Sequence, residues 1–248
     1  MTAPPSSGEL LLLVPTSSYR LDDFRAAARR LGVPLLVGSD RCHCMEEAFG
    51  DRDDDVALDY RDPEDAAEKI FRLAASRRIA GIVPASDGAA VIASLAARRL
   101  GLAANPPEAA RRAADKHASR VALAEAGVPV PRFRLRRLDE DAEAAARETA
   151  FPCVLKPLVL SGSRGVIRAD DAAGFVSAWR RIERVLGGAR RERRPVEGAA
   201  GRQLLVESFV RGPRSPWRGC CAAGRWRCSR SSTSRIRSTA PSSRRPST

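Results

Sequence analysis

The chain has 248 residues, of which 44% are hydrophobic and 29% are charged, a composition typical of a globular protein. Its formal net charge of +13 is concentrated near the C-terminus. Residues 214–248 carry nine arginines and no aspartate, glutamate or lysine, which leaves +4 (13 − 9) for residues 1–213. The net charge therefore gives little support to nucleic-acid binding by the chain as a whole.

The longest apolar run near the start, LLLLV at residues 10–14, is too short to cross a membrane. No basic segment precedes it, so we expect no secretory signal and no membrane partner. The six cysteines do not form the framework of a disulfide-rich domain, and Cys42-His43-Cys44 lacks a second pair of ligands at zinc-finger spacing. We interpret that triplet as a loop and expect a cytoplasmic protein.

Residues 8–105 alternate between short apolar segments and amphipathic segments. The apolar segments are predicted to be four buried strands, at residues 9–14, 33–38, 55–60 and 80–86. The amphipathic segments are predicted to be three helices, at residues 21–32, 62–78 and 88–102. This alternation predicts a doubly wound, parallel α/β domain over residues 8–105.

Residues 106–213 follow a different pattern. Two helices are predicted before residue 127, and a third in the acidic segment at residues 138–148. The segments that follow are predicted as strands at 151–158, 166–171 and 203–210, a helix at 171–187 and a basic loop at 188–202. The pattern predicts an α+β domain with antiparallel strand pairing, whereas residues 214–248 show no hydrophobic periodicity.

Lysine is rare in this chain, with only Lys69, Lys116 and Lys156 among 43 basic residues. Lys156 closes a predicted strand, and Pro157 after it favours an extended backbone. The segment SGSRG at 161–165 contains two glycines, which let backbone N–H groups approach phosphate oxygens, and Lys156 would add a positive charge there. The alternative is an ordinary hairpin loop beside a solvated lysine. The lysine precedes the glycines, so this is not a Walker A loop.

Three further motifs accompany VLKPLVLSGSRGV (154–166) in a fixed order. They are DKHASR at 115–120, GVPVP at 127–131 and LLVESFVRGP at 204–213. Together the four motifs resemble the ATP-grasp superfamily. Residues 8–105 resemble the domain that precedes the ATP-grasp domain in the biotin carboxylase and carbamoyl-phosphate synthetase branch. The resemblance implies a Rossmann-like pre-ATP-grasp domain over 8–105, followed by a partial α+β ATP-grasp domain over 106–213.

The resemblance also implies a function. The family activates a carboxylate as an acylphosphate, which an amine or a related nucleophile then attacks, so ATP, Mg²⁺ and a small carboxylate and amine are the implied partners. Ten residues are assigned to nucleotide binding in three groups: two lysines at the phosphates, a flap over them, and a hinge strand beside adenine and ribose. These groups are Lys116 and Lys156; Ser161, Gly162, Ser163, Arg164 and Gly165; and Glu207, Phe209 and Val210.

An alternative is a basic nucleic-acid-binding protein that uses the Arg/Ser-rich residues 214–248. Such a protein would bind with an affinity that falls steeply with salt and is lost when that segment is deleted. The segment lacks the spaced aromatic side chains of a base-stacking surface, and the rest of the chain contains no recognisable nucleic-acid module. Nucleic acid is therefore not the expected partner.

The resemblance stops at Pro213, where the family continues into a second half that carries the Mg²⁺ ligands. Reading residues 214–248 in a shifted frame with GC-rich codons gives a translation that alternates apolar and acidic residues and resembles that second half. We therefore hypothesise a frameshift near codon 213 and expect this chain to be an inactive fragment that binds ATP weakly. Resequencing the gene across that codon tests the hypothesis, and a verified uninterrupted frame with no downstream ATP-grasp frame would contradict it.

Overall fold

The computed structural model describes residues 8–40, 55–160, 162–191, 199–212, 217–222 and 225–230. The chain divides after Ser208 into two compact units, Met1–Ser208 and Phe209–Thr248. The domain boundaries predicted at 105/106 and 213/214 stay predictions. Among the helices in the described ranges, none has both the length and the apolar character that crossing a bilayer requires.

The first part of unit 1 is a parallel sheet with helices on both faces, which confirms the predicted doubly wound fold. Its strands are β1 (Glu9–Leu13), β2 (Leu35–Ser39), β3 (Asp55–Ala57) and β4 (Ile79–Pro84), in the order β3-β2-β1-β4. The connecting helices are α1 (Leu21–Leu31), α2 (Pro63–Leu73) and α3 (Asp87–Arg99). Successive side chains of a strand point to opposite faces, so Leu11 and Leu13 pack into the core with α2 and α3. Leu12 packs on the other face with residues of α1.

The two helices that follow β3 and β4 begin at side-chain caps. The Asp62 carboxylate accepts a hydrogen bond from the Asp65 N–H at 3.0 Å, and Pro63 occupies the first turn of α2. The Ser86 hydroxyl accepts one from the Ala89 N–H at 3.3 Å and caps α3. α2 ends at Leu73, earlier than the predicted residue 78, because the chain tightens into turns stabilised by N–H groups bonded to carbonyls three residues back.

The second part of unit 1 is a four-stranded antiparallel sheet, as predicted. Two helices, α4 (Pro107–Ala114) and α5 (Lys116–Glu125), lead into it. The remaining elements are β5 (Phe133–Arg137), α6 (Ala142–Arg147), β6 (Cys153–Pro157), β7 (Ile167–Ala169), α7 (Ala172–Arg191) and β8 (Gln203–Ser208), with strand order β5-β8-β6-β7. α6 and α7 cover one face of this sheet, where Phe175 and Trp179 are fully buried against Leu155 and Val206.

Two predicted boundaries in this part were wrong. The predicted loop at 188–202 begins too early, since α7 continues to Arg191 and residues 199–202 form a 3₁₀ turn. A glycine weakens a helix by only about 1 kcal/mol, so Gly187 and Gly188 do not end α7. β8 stops at Ser208, not at residue 210, because its partners β5 and β6 begin opposite Glu207 and Ser208.

Unit 2 contains a hairpin that the sequence analysis did not predict. Strands β9 (Trp217–Ala222) and β10 (Arg225–Arg230) pair antiparallel, with Trp226 opposite Cys221.

Replacing Trp179 by alanine tests the core of the second sheet. Because the indole is 1% exposed, Trp179→Ala is expected to lower the free energy of unfolding by about 3–5 kcal/mol. Ser177→Ala, at an exposed position of the same helix, should change it by less than about 0.5 kcal/mol. Urea denaturation followed by circular dichroism measures both, and equal effects of the two substitutions would contradict the assigned packing.

Candidate functional site

One face of the antiparallel sheet carries a cluster of charged side chains. Glu207 on β8 lies directly opposite Val154 on β6, and Lys156 is two residues beyond Val154 on the same strand. Side chains two apart on a strand share a face, so Lys156 and Glu207 are diagonal neighbours. Their face is opposite to the one that α6 and α7 cover with Leu155 and Val206. Strand pairing therefore brings together two residues that are 51 positions apart in sequence.

The Glu207 carboxylate binds two cations. Its Oε2 pairs with the Lys156 ammonium, and its Oε1 accepts a hydrogen bond from Arg120 Nε at 2.8 Å. The side chain of Glu207 is only 5% exposed, and a buried carboxylate is strongly destabilising unless it is paired. Two cations against one anion leave an excess of positive charge on this face of the sheet.

Arg120 is the site residue to which the sequence analysis gave no role. It lies within the DKHASR motif, one turn of α5 after Lys116. Its place in that motif is the sequence feature that could have indicated a role in the site. Its partner Glu207 is 87 residues away, so only the folded chain shows what it contacts.

Lys116 is the first residue of α5. Asp115 alone separates α4 from α5, and its carboxylate accepts hydrogen bonds from the N–H groups of His117 (2.7 Å) and Ala118 (2.8 Å). This cap fixes the start of the helix. The Lys116 ammonium donates to the carbonyl oxygens of Leu158 and Leu160, both at 2.7 Å, and so reaches the segment that leads into the SGSRG loop.

The electrostatic surroundings of Lys116 place it near the other charged groups. Burial lowers the pKa of Lys116, and the carboxylates of Asp87 and Asp115 act in the opposite direction. The positive charge of Lys156 lowers the same pKa further. The two lysines are therefore close enough to repel each other, and an anionic ligand between them would relieve that repulsion.

The predicted flap loop is described from Gly162 to Gly165, while Ser161 lies outside the described residues. Its backbone is left-handed at three of these four residues: Gly162 (φ +64°), Ser163 (φ +60°) and Gly165 (φ +71°). A Cβ atom on Gly165 would lie 2.8 Å from Cγ of Pro157, so both the φ angle and the space require glycine there. Arg164 is exposed. Turns of this kind can point several N–H groups toward one anion.

Phe209 and Val210 are the other two residues that the resemblance assigns to the hinge. Phe209 and Val210 lie beyond the end of β8 in unit 2, and the Val210 side chain is 68% exposed. Their predicted contact with adenine and ribose stays a prediction.

Two further side chains that could be reactive, His117 and Cys153, are held in the packing of the fold. His117 packs edge-on against Phe133, with ring centroids 5.8 Å apart. Cys153 is buried, and burial raises the pKa of its thiol to about 11, which keeps it protonated at neutral pH. The Cys42-His43-Cys44 triplet lies outside the described residues.

Two domain families match this chain. The ATP-grasp N-terminal domain matches residues 24–103, which contain most of the parallel sheet, and the ATP-grasp domain matches residues 149–214, which contain β6, β7 and β8. The second match includes Lys156, the flap loop and Glu207, and Lys116 and Arg120 lie between the two matches.

Three known proteins are similar to this chain in sequence or in fold. The uncharacterised protein y4rH of Sinorhizobium fredii is 30% identical over 204 residues, which are 82% of this chain and 41% of that protein. A D-alanine–D-alanine ligase of Stutzerimonas stutzeri is 29% identical over 101 residues, 41% of this chain and 27% of the ligase. The crystal structure of an L-amino acid ligase from Bacillus licheniformis has a similar fold, with a TM-score of 0.62 and 18% identity over 90% of this chain and 50% of that one.

This chain spans half or less of the length of each of these three proteins. The two segments that match the domain families nevertheless contain strands of both sheets, together with Lys156 and Glu207. Motif order, sheet topology and both domain matches lead to one conclusion, that this chain belongs to the ATP-grasp superfamily.

Proposed function

We propose that this chain provides nucleotide-binding residues of an ATP-dependent ligase that joins a carboxylate to an amine or a related nucleophile. The observation that carries the proposal is the convergence of Lys116, Lys156 and the flap loop in the folded chain. Lys116 reaches the loop through the carbonyls of Leu158 and Leu160. Ammonium groups and backbone N–H donors in one place suit the phosphates of ATP. The D-alanine–D-alanine ligase relative is named for a reaction of this class.

Both lysines can bind a phosphate without giving up their present partners. An ammonium group has three N–H donors. Lys116 uses two of them on carbonyl oxygens, and Lys156 uses one on Glu207. Among the described residues, these are the hydrogen bonds that the two ammonium groups make, so at least one donor on each is available to a phosphate oxygen.

Glu207 and Arg120 set the position of Lys156. The carboxylate holds the ammonium on the charged face of the sheet, and Arg120 neutralises the same carboxylate from the other side. Arg120 remains paired with Glu207. Lys156 can therefore donate an N–H group to a phosphate oxygen without leaving the buried carboxylate unpaired. In this proposal, Glu207 also marks the hinge strand, with Phe209 and Val210 beside adenine and ribose.

In the proposed reaction, a carboxylate oxygen of the substrate attacks the γ-phosphorus of ATP and ADP leaves. The amine then attacks the carbonyl carbon of the acylphosphate, phosphate leaves, and the amine nitrogen loses a proton. Charge on the phosphoryl oxygens is stabilised by the adjacent ammonium groups. Mg²⁺ supplies further neutralisation in this family. The described residues contain no group of three or more acidic, histidine or cysteine side chains that could hold it, so none is assigned to the metal.

Nucleotide binding by the lysines tests the proposal directly. Lys116→Met and Lys156→Met should each weaken MgADP or MgATP binding at least about tenfold, since each removes a charge-assisted hydrogen bond worth roughly 1.5–3 kcal/mol. Lys69→Met is the matched control, because Lys69 lies on α2 in the parallel-sheet part of the chain. Isothermal titration calorimetry of the full chain gives the three affinities. No nucleotide binding by the unmodified chain, or equal losses in all three variants, would refute the proposed role.

Arg120 is expected to act through Glu207. In Arg120→Met, Lys156 alone must neutralise the buried carboxylate, so nucleotide affinity should fall by about tenfold. Arg120→Lys keeps the positive charge and should retain most of the affinity. The control is Arg112→Met, which removes an exposed arginine on α4 and should leave affinity unchanged. Thermal unfolding of each variant separates a binding effect from loss of fold. If Arg120→Met binds nucleotide as well as Arg112→Met does, Arg120 does not position Lys156.

A further inference from the structure

A groove of about 590 Å³ lies between α6 and α7, the two helices that cover the second sheet. Its apolar lining consists of Ala146 from α6 and of Ala172, Ala173 and Val176 from α7. Alanine side chains are short, so the two helices leave space between them that larger side chains would fill. The helices cover the face of the sheet opposite to the proposed nucleotide site, so the groove is separate from that site.

Four charged side chains also line the groove, and three of them are arginines. Arg147 is the last residue of α6, and Arg180 and Arg184 lie one turn apart on α7. The fourth is Glu143, whose Oε1 accepts a hydrogen bond from Nη2 of Arg180 at 2.8 Å. Glu183 also belongs to α7 but is not part of the lining. With three cations and one anion, the groove is positively charged.

Two of the three arginines are incompletely neutralised. Arg184 makes no ion pair or hydrogen bond with any described residue. Arg147 is 4.0 Å from a carboxylate oxygen of Asp141, at an exposed position where such a contact contributes little. Arg180 and Arg184 are four residues apart on one helix, where like charges repel each other. A carboxylate between them would relieve that repulsion and neutralise Arg184.

The apolar lining and the arginines together define the chemistry of a partner. The lining favours aliphatic side chains, and the arginines favour carboxylates. An acidic amphipathic helix presents both, because its side chains at i, i+3, i+4 and i+7 form one apolar face and carboxylates can flank that face. Hydrophobic grooves bind such helices in other proteins. Nucleic acid is a poorer match, since none of the described residues that line the groove is aromatic and phosphates make no use of an apolar surface.

We propose that the groove between α6 and α7 is a docking site for an acidic amphipathic helix of a partner protein. In this proposal, the aliphatic side chains of that helix lie on Ala146 and Val176. Its carboxylates pair with Arg147, Arg180 and Arg184. The docking site uses none of the residues assigned to nucleotide binding, so this interaction and the proposed ligase function can fail independently.

The probe is a fluorescently labelled helical peptide of glutamate, alanine and leucine, with leucines at i, i+3, i+4 and i+7. Its affinity for the full chain is measured by fluorescence anisotropy and should fall as salt is added. A peptide with alanine in place of every leucine should bind at least about tenfold more weakly, because it lacks the apolar face. Equal affinities of the two peptides would show binding to charge alone and overturn the proposal.

Residues 214–248 are also rich in arginine, so substitutions decide where the peptide binds. Arg180→Glu with Arg184→Glu should weaken binding of the leucine-containing peptide at least about tenfold, since two attractive contacts become repulsive. The matched control is Arg29→Glu with Arg30→Glu, which makes the same change in charge at exposed positions in the last turn of α1. Circular dichroism checks that both proteins fold. Equal affinities of the two double variants would place the peptide elsewhere and overturn the proposal.

Filling the groove tests its apolar part without changing its charge. Ala173 is exposed and lines the groove, so Ala173→Trp should exclude the leucines and weaken binding of the peptide at least about tenfold. Ala75→Trp, at an exposed position after α2, should leave the affinity unchanged. If the two tryptophan variants bind the peptide equally well, the groove is not the docking site.

Two further measurements test for other occupants. If a single-stranded oligonucleotide loses as much affinity as the peptide in the protein with Arg180→Glu and Arg184→Glu, the arginines bind nucleic acid and the proposal fails. If the unmodified chain self-associates in analytical ultracentrifugation and this double variant does not, a second copy occupies the groove and the proposal also fails.

Discussion

A carboxylate buried in the middle of a β-sheet needs compensating charge, and Glu207 obtains it from two different parts of the chain. Lys156 comes from the neighbouring strand and Arg120 from α5, which precedes the whole sheet. The requirement to neutralise Glu207 therefore holds α5 against the charged face of the sheet. Lys116 begins that same helix, so its distance from Lys156 is set by the same constraint. The cationic character of the site follows from the burial of a single anion.

The features that could be predicted from sequence are those that depend on local pattern. The four buried strands and three amphipathic helices of residues 8–105 show clear periodicity, and Asp62 with Pro63 marked a helix start. Lys116 and Lys156 stood out because the chain has only three lysines and because the motifs around them occur in a specific order. In each case the information lies within a few neighbouring residues.

Features that depend on distant contacts could not be predicted in this way. The end of β8 is set by where β5 and β6 begin, and nothing in the sequence around Phe209 carries that information. The role of Arg120 depends on a partner 87 residues away. The alanines of α4 have the high helix propensity of ordinary helical residues, and only the packing of the helix shows that Ala110 and Ala114 lie against the core of the parallel sheet.

The joint between α4 and α5 has a mechanical consequence. Asp115 is the single residue between them, it has an extended backbone (φ −97°, ψ 119°), and its side chain is bonded to the first turn of α5. Ala110 and Ala114 of α4 pack against the core of the parallel sheet, and Lys116 follows Asp115 directly. Because a single capped residue joins the two helices, the position of α4 constrains the position at which α5 starts. The packing of α4 against the core of the parallel sheet therefore constrains where Lys116 begins α5 beside the flap loop.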